Sequence, residues 1–206
     1  MTEGKSANII YAVLCSEGNV ERTLNVKKLK EAIPELKIVI SNRENVFRNH
    51  IGLFDLGANS DCDGIIILED DVQLCKDFKT KATELVSEHK DEVVSMFESA
   101  LSRKELHSEY RAGNRFNWCQ CNYYPKAICK ILSSNDMVTK FKEWYARRNE
   151  PWNYPIDTYI GYVLGYHGLK YWMQVPFLVQ HLPLRSNFKG RPLNRQSKFF
   201  IDDVEK

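Results

Sequence analysis

Nothing in these 206 residues approaches a run of about 20 apolar side chains, so no stretch reads as a membrane span. The opening Met1-Thr2-Glu3-Gly4-Lys5 has no apolar core of the kind a signal peptide needs. Together the two absences give the expectation of a cytoplasmic protein. The six cysteines (Cys15, Cys62, Cys75, Cys119, Cys121, Cys129) follow no disulfide spacing, and Cys119-Gln120-Cys121 lacks the two-residue gap common in zinc sites. They read as reduced, structural thiols. A large net charge is missing too, at +2, and 43% hydrophobic against 27% charged residues describe an ordinary globule. A chain this long forms one domain, 1–206, burying about 70% of its unfolded surface.

What is present is concentrated in Gly64-Ile65-Ile66-Ile67-Leu68-Glu69-Asp70-Asp71-Val72. An apolar run without polar alternation suits a strand buried on both faces. Burying unpaired carboxylates is too costly, so the chain must surface at Glu69. That puts the acids at the carboxyl edge of the sheet, where open α/β folds bind ligands. Acids packed this closely repel unless a cation joins them, and oxygen ligands favour magnesium or manganese, ions that bridge to substrate phosphates. A solvated acidic turn is the other reading.

The remaining elements follow from periodicity. Asn8 to Cys15 is a strand, broken by Ser16-Glu17-Gly18-Asn19. Val20 to Ile33 is a helix with Val20, Leu24, Leu29 and Ile33 apolar, closed by Pro34, and Leu36 to Ile40 is the next strand. This βαβ unit starts a parallel sheet. Helices are expected over Phe47 to Ala58, which carries His50, over Asp77 to His89, and from Ser134–Asp136 to Arg148, with a strand at Val93 to Phe97. Ser102 to Asn117 lacks periodicity and reads as a long excursion. Asp157 precedes the helical pattern of Ile160, Val163 and Leu164 as a natural N-cap. The fold class is therefore α/β, a mostly parallel sheet flanked by helices. From Thr158 to Ile201 six cations (Lys170, Arg185, Lys189, Arg191, Arg195, Lys198) occur without one acid, so the basic segment 185–206 points to an anionic partner.

Glu69-Asp70-Asp71-Val72 after its strand, Tyr154-Pro155-Ile156-Asp157, and Val175-Pro176-Phe177-Leu178-Val179-Gln180-His181 occur in an order that resembles the GT-A nucleotide-sugar glycosyltransferases. The likeness is to the lipooligosaccharide galactosyltransferase and N-acetylglucosaminyltransferase IV-like families, and covers roughly residues 8 to 188. It departs at Leu182-Pro183, where many relatives have small residues. The resemblance implies a Rossmann-like GT-A domain and a donor, most simply a UDP-sugar, over the first strands. Ser16, Glu17, Arg22, Glu69 and Asp70 would hold the donor, with Arg185 and Lys189 adding charge at the diphosphate. Arg22 would pair with phosphate or stand as a solvated helix residue, and His50 would either touch substrate or fill the core. Asp71, Asp70 and His181 would hold manganese or magnesium. Asp157 would be the general base of an inverting transfer.

The basic segment, with Asn187, Phe188 and Phe199, also suits a phosphate-tracking, base-stacking surface. The acceptor would then be a hydroxylated pyrimidine in DNA, as in bacteriophage modification enzymes. A saccharide acceptor, a nucleotidyltransferase and a non-catalytic nucleic-acid-binding protein are the other readings.

Overall fold

The structure, a computed structural model, describes residues 7–42, 44–98, 107–116, 118–148, 154–184, 196–197 and 199–204. Its frame is a seven-stranded sheet in the order β2-β1-β3-β7-β5-β8-β6. The strands are β1 (Ile9–Ser16), β2 (Lys37–Ser41), β3 (Gly64–Glu69), β5 (Val93–Ser95), β6 (Glu109–Ala112), β7 (Cys121–Pro125) and β8 (Lys170–Met173). β1, β2, β3, β5 and β8 run one way and only β6 and β7 oppose them, so the sheet is mostly parallel. β4 (Val72–Leu74) pairs antiparallel with β9 (Val179–His181) in a separate ribbon, where His181 lies opposite Val72.

The helices are α1 (Val20–Ala32), α2 (Val46–Asn59), α3 (Phe78–Glu88), α4 (Lys126–Leu132), α5 (Asn135–Ala146), α6 (Ile156–Tyr166) and the short α7 (Ile201–Val204). They cover both sheet faces, and the pleat of β3 separates two cores. Ile65 and Ile67 pack with residues of α2, α4, α5 and α6. Ile66 and Leu68 pack with residues of α1 and α3. This two-sided burial explains why β3 is apolar throughout. The arrangement is a mixed α/β, Rossmann-like domain, and no described helix is long and apolar enough to cross a membrane.

Two expectations need correcting. Of the apolar stripe expected of α1, Leu29 and Ile33 are buried, but Val20 and Leu24 are 72% and 52% exposed, and Asn25 and Val26 lie on the inner face instead. The helix is turned by a polar contact: Asn25 donates through Nδ2 to the carbonyls of Asp70 (3.0 Å) and Val72 (2.8 Å). The stretch from Ser102 to Asn117 is not wholly irregular either. Its Glu109–Ala112 segment forms edge strand β6 on β8, and Gly113–Arg115 forms a 3-10 turn against α6. A Cβ on Gly113 would stand 2.3 Å from Leu164 Cβ, so only glycine lets α6 come this close.

Candidate functional site

β3 ends at Glu69, and Asp70 and Asp71 follow in the turn before β4, so the three acids reach different surroundings. Asp70 turns toward α1. Its Oδ2 accepts from the backbone N–H of Ser16 at 2.5 Å, and its Oδ1 pairs with Nη1 of Arg22. Nη2 of the same guanidinium reaches Asp71 Oδ2 at 2.5 Å. His181 approaches that oxygen from β9, with Nε2 at 3.4 Å. The backbone closes the turn: Leu182 donates its N–H to the Asp71 carbonyl at 2.7 Å. Burial would raise the Asp71 carboxyl, but the His181 ring and the Arg22 charge outweigh it and hold the group below its usual range. For Asp70 burial wins over Arg22 and Ser16, and the carboxyl is raised.

Glu69 turns to the opposite face. Its Oε2 accepts from Gln120 Nε2 at 3.1 Å, while its own N–H donates to the Gln120 carbonyl at 2.9 Å. Asp157 enters this corner from α6, and its charge acts on Glu69. Burial, followed by the charges of Asp71 and Asp70, pushes the Glu69 carboxyl up to about 8. The Cys119 thiol is raised well above its usual value, by burial first and then by Asp157 and Glu69. Asp157 is not the N-cap expected of it: Pro155 holds that position, and Asp157 lies in the first turn. Its Oδ1 accepts from the Thr158 N–H at 2.7 Å, so the carboxylate still meets an amide at the positive end of the helix.

The expected residues Ser16, Arg22, Glu69, Asp70, Asp71, Asp157 and His181 thus meet at the carboxyl edge of the sheet. Glu17 sits at its exposed rim, where Asn42 Nδ2 donates to Oε2 at 2.9 Å. Arg22 departs from its expected role, because the guanidinium bridges two carboxylates within the chain. Asp70 departs as well, since both of its oxygens are engaged, by Arg22 and by Ser16. His50 is buried in α2 with Nδ1 on the Val46 carbonyl at 3.0 Å, and burial lowers it to about 4, so it stays neutral. Arg185, Lys189, Asn187 and Phe188 lie outside the described residues, as do Arg191, Arg195 and Lys198. Phe199 is not a free stacking ring: it packs against the core edge-on to Phe177, with centroids 6.4 Å apart. Asn25, Cys119 and Gln120 were not anticipated. Gln120 and Asn122 alternate with Cys121 and Tyr123, and all four are buried.

Asp71 Oδ1 and His181 Nδ1 are sealed from solvent and have no hydrogen-bond partner among the described residues. A sealed, unpaired acceptor costs about 1–3 kcal/mol, and its retention asks for a ligand. No group of three or more His, Cys, Asp or Glu side chains suited to a metal occurs among the described residues. A carboxylate oxygen with an adjacent imidazole nonetheless suits an ion that completes its shell with phosphate oxygens and water, the habit of magnesium and manganese. Asp71 offers its unpaired Oδ1 to such an ion, His181 stands beside it with Nε2 toward Oδ2, and Asp70, with both oxygens engaged, does not fit.

No family model matches the chain, and no curated protein does. Among solved structures the chain is similar to the crystal structure of A197 from STIV, with 12% identity, 85% of each chain covered and a TM-score of 0.48.

Proposed function

We propose that the chain is a GT-A glycosyltransferase that moves a sugar from a nucleotide-sugar donor, a UDP-sugar in the simplest case, to a hydroxyl acceptor. The observation that carries this reading is Asp71: it lies in the turn after the buried strand β3, shares one oxygen with Arg22 and His181, and keeps the other sealed and unpaired among the described residues.

Asp71 and His181 would hold a divalent cation, manganese or magnesium, whose chemistry is to offset the negative charge that grows on a departing nucleoside diphosphate. Arg22 fixes both aspartates, so no reorganisation is needed when the donor enters. Ser16 ties Asp70 to the end of β1, beside the donor's expected position. Asp157 accepts the acceptor's hydroxyl proton as that oxygen forms its bond to the anomeric carbon and the bond to the diphosphate breaks. Rigid seating at the start of α6 suits it to this task.

The acceptor is a saccharide hydroxyl or, through the basic segment 185–206, a hydroxylated base in DNA. The test is a screen of nucleotide sugars for manganese-dependent turnover, followed by mass analysis of glycan and DNA acceptors. A nucleoside diphosphate product supports transfer of the sugar, whereas pyrophosphate would identify a nucleotidyltransferase. Asp71→Asn, which keeps shape and removes charge, should lower turnover at least about 100-fold with the fold intact. Unimpaired turnover by a folded Asp71→Asn protein would end the proposal.

A further inference from the structure

Gln120 and Asn122 are 3% and 1% exposed, and each spends its amide nitrogen on a neighbouring acceptor. Gln120 Nε2 donates to Glu69 Oε2 at 3.1 Å, and Asn122 Nδ2 donates to the Trp118 carbonyl at 2.9 Å. The Trp118 carbonyl fixes the Asn122 amide, because a flipped amide would set oxygen against oxygen, and the Gln120 amide is oriented with its nitrogen on Glu69. Gln120 Oε1 and Asn122 Oδ1 are therefore the ends left over, both sealed and without a donor among the described residues. An apolar side chain of similar length would avoid that cost, so packing alone does not explain a glutamine here.

The Gln120 amide lies against Glu69, and Asp157 shares the corner closely enough for its charge to act on Glu69 and on Cys119. The acceptors gathered on this face are the Asp157 carboxylate and the Gln120 carbonyl. Their complement is a ligand carrying several O–H donors. The cation of the proposed reading is assigned to Asp71 and His181, which leaves hydroxyls as the partners for this face.

We infer that Gln120 is a specificity-determining residue that accepts a hydrogen bond on Oε1 from a hydroxyl of the transferred sugar, while its Nε2 holds Glu69 in place. The inference rests on the donor assignment proposed above. It makes the sugar, rather than the nucleotide, the part that Gln120 reads. A site built to pair a hydroxyl rejects an analogue lacking it far more strongly than an apolar pocket rejects a missing methylene.

The experiment titrates the full chain, with manganese, with UDP and with UDP-glucose, UDP-galactose and UDP-N-acetylglucosamine, then with singly deoxygenated analogues of the tightest binder. In the wild type one deoxy analogue should bind at least about 10-fold more weakly than its parent. Gln120→Met should leave UDP affinity within about twofold and bind parent and analogue alike. If every deoxy analogue binds the wild type as the parent does, the inference is overturned without any variant having to fold. It also fails if Gln120→Met keeps the wild-type discrimination, or loses UDP along with the sugar; both leave the donor assignment standing. A wild-type chain that binds no UDP-sugar overturns that assignment, and this inference with it.

Discussion

Replacing Arg22 with methionine is the sharpest single perturbation of the site, because one guanidinium serves two carboxylates. The Asp70 and Asp71 side chains are 2% and 4% exposed, so neither can recruit water when its partner is lost. Removing one member of a buried ion pair costs about 3–5 kcal/mol, mostly the penalty of the charge left behind. At roughly 2–4 °C per kcal/mol for a chain of this size, the melting temperature should fall by about 6–20 °C at pH 7. The pH dependence carries a sign. In the wild type, Asp71 is held below its ordinary range, so it contributes stability above the unfolded pKa of about 3.9 that is lost as pH falls through the folded value. In Arg22→Met both carboxyls feel burial and each other without the guanidinium, Asp71 keeping only His181, so their folded pKa values rise and the native state takes up protons that the unfolded chain releases. The deficit should therefore be greatest near pH 7 and shrink toward pH 4. Thermal denaturation followed by circular dichroism between pH 4 and 8 measures it. An Arg22→Met protein that melts within about 2 °C of the wild type at pH 7, with a parallel pH profile, would refute the bridge as a stabilising element.

Two further outcomes test the α6 face. Asp157→Asn should lower kcat by about 100- to 10,000-fold while the donor KM stays near the wild-type value, measured by nucleoside diphosphate release with the acceptor present; a wild-type kcat in the folded variant removes the base assignment. Glu69 has a folded pKa raised to about 8, so the stability it contributes is complete below its unfolded pKa of about 4.3 and disappears as pH rises through 8. Glu69→Gln should consequently melt higher than the wild type at pH 8 and lose that advantage near pH 5. Parallel melting curves across that range would show that burial and like charge do not act on Glu69 as described.

The early part of the fold was legible because its signals are local. The apolar Ile65–Leu68 run, Pro34 after α1 and the turn residues Ser16 to Asn19 mark elements by composition, and β1, α1, β2, α2 and β3 lie close to where those marks place them. β4 and β9 are three residues each, too short for any periodicity, and exist because they pair across more than a hundred residues of chain. β6 was hidden for a related reason: at an edge its side chains are largely exposed, so no buried face is written into Glu109–Ala112. α1 misled in another way. Apolar Val20 and Leu24 face solvent because Asn25 is worth more to the fold where it satisfies two strand-end carbonyls.

The residue order alone determined that an apolar strand runs into Glu69, Asp70 and Asp71, but the expected emergence into solvent did not follow: Asp70 and Asp71 are buried, because Arg22 pairs with both of them. It equally determined that Asp157 would open a helix. Which partners those acids receive was decided only in three dimensions. Arg22 and His181 lie 49 and 110 positions from Asp71 in sequence, yet one guanidinium and one imidazole meet the same carboxylate oxygen. The end of β3 and the turn after it then divide the acids, leaving Glu69 beside Gln120 and sending Asp70 and Asp71 to Arg22. Charge and burial are properties of a residue's neighbours, and neighbours brought together by the sheet leave no mark at their own positions in the chain.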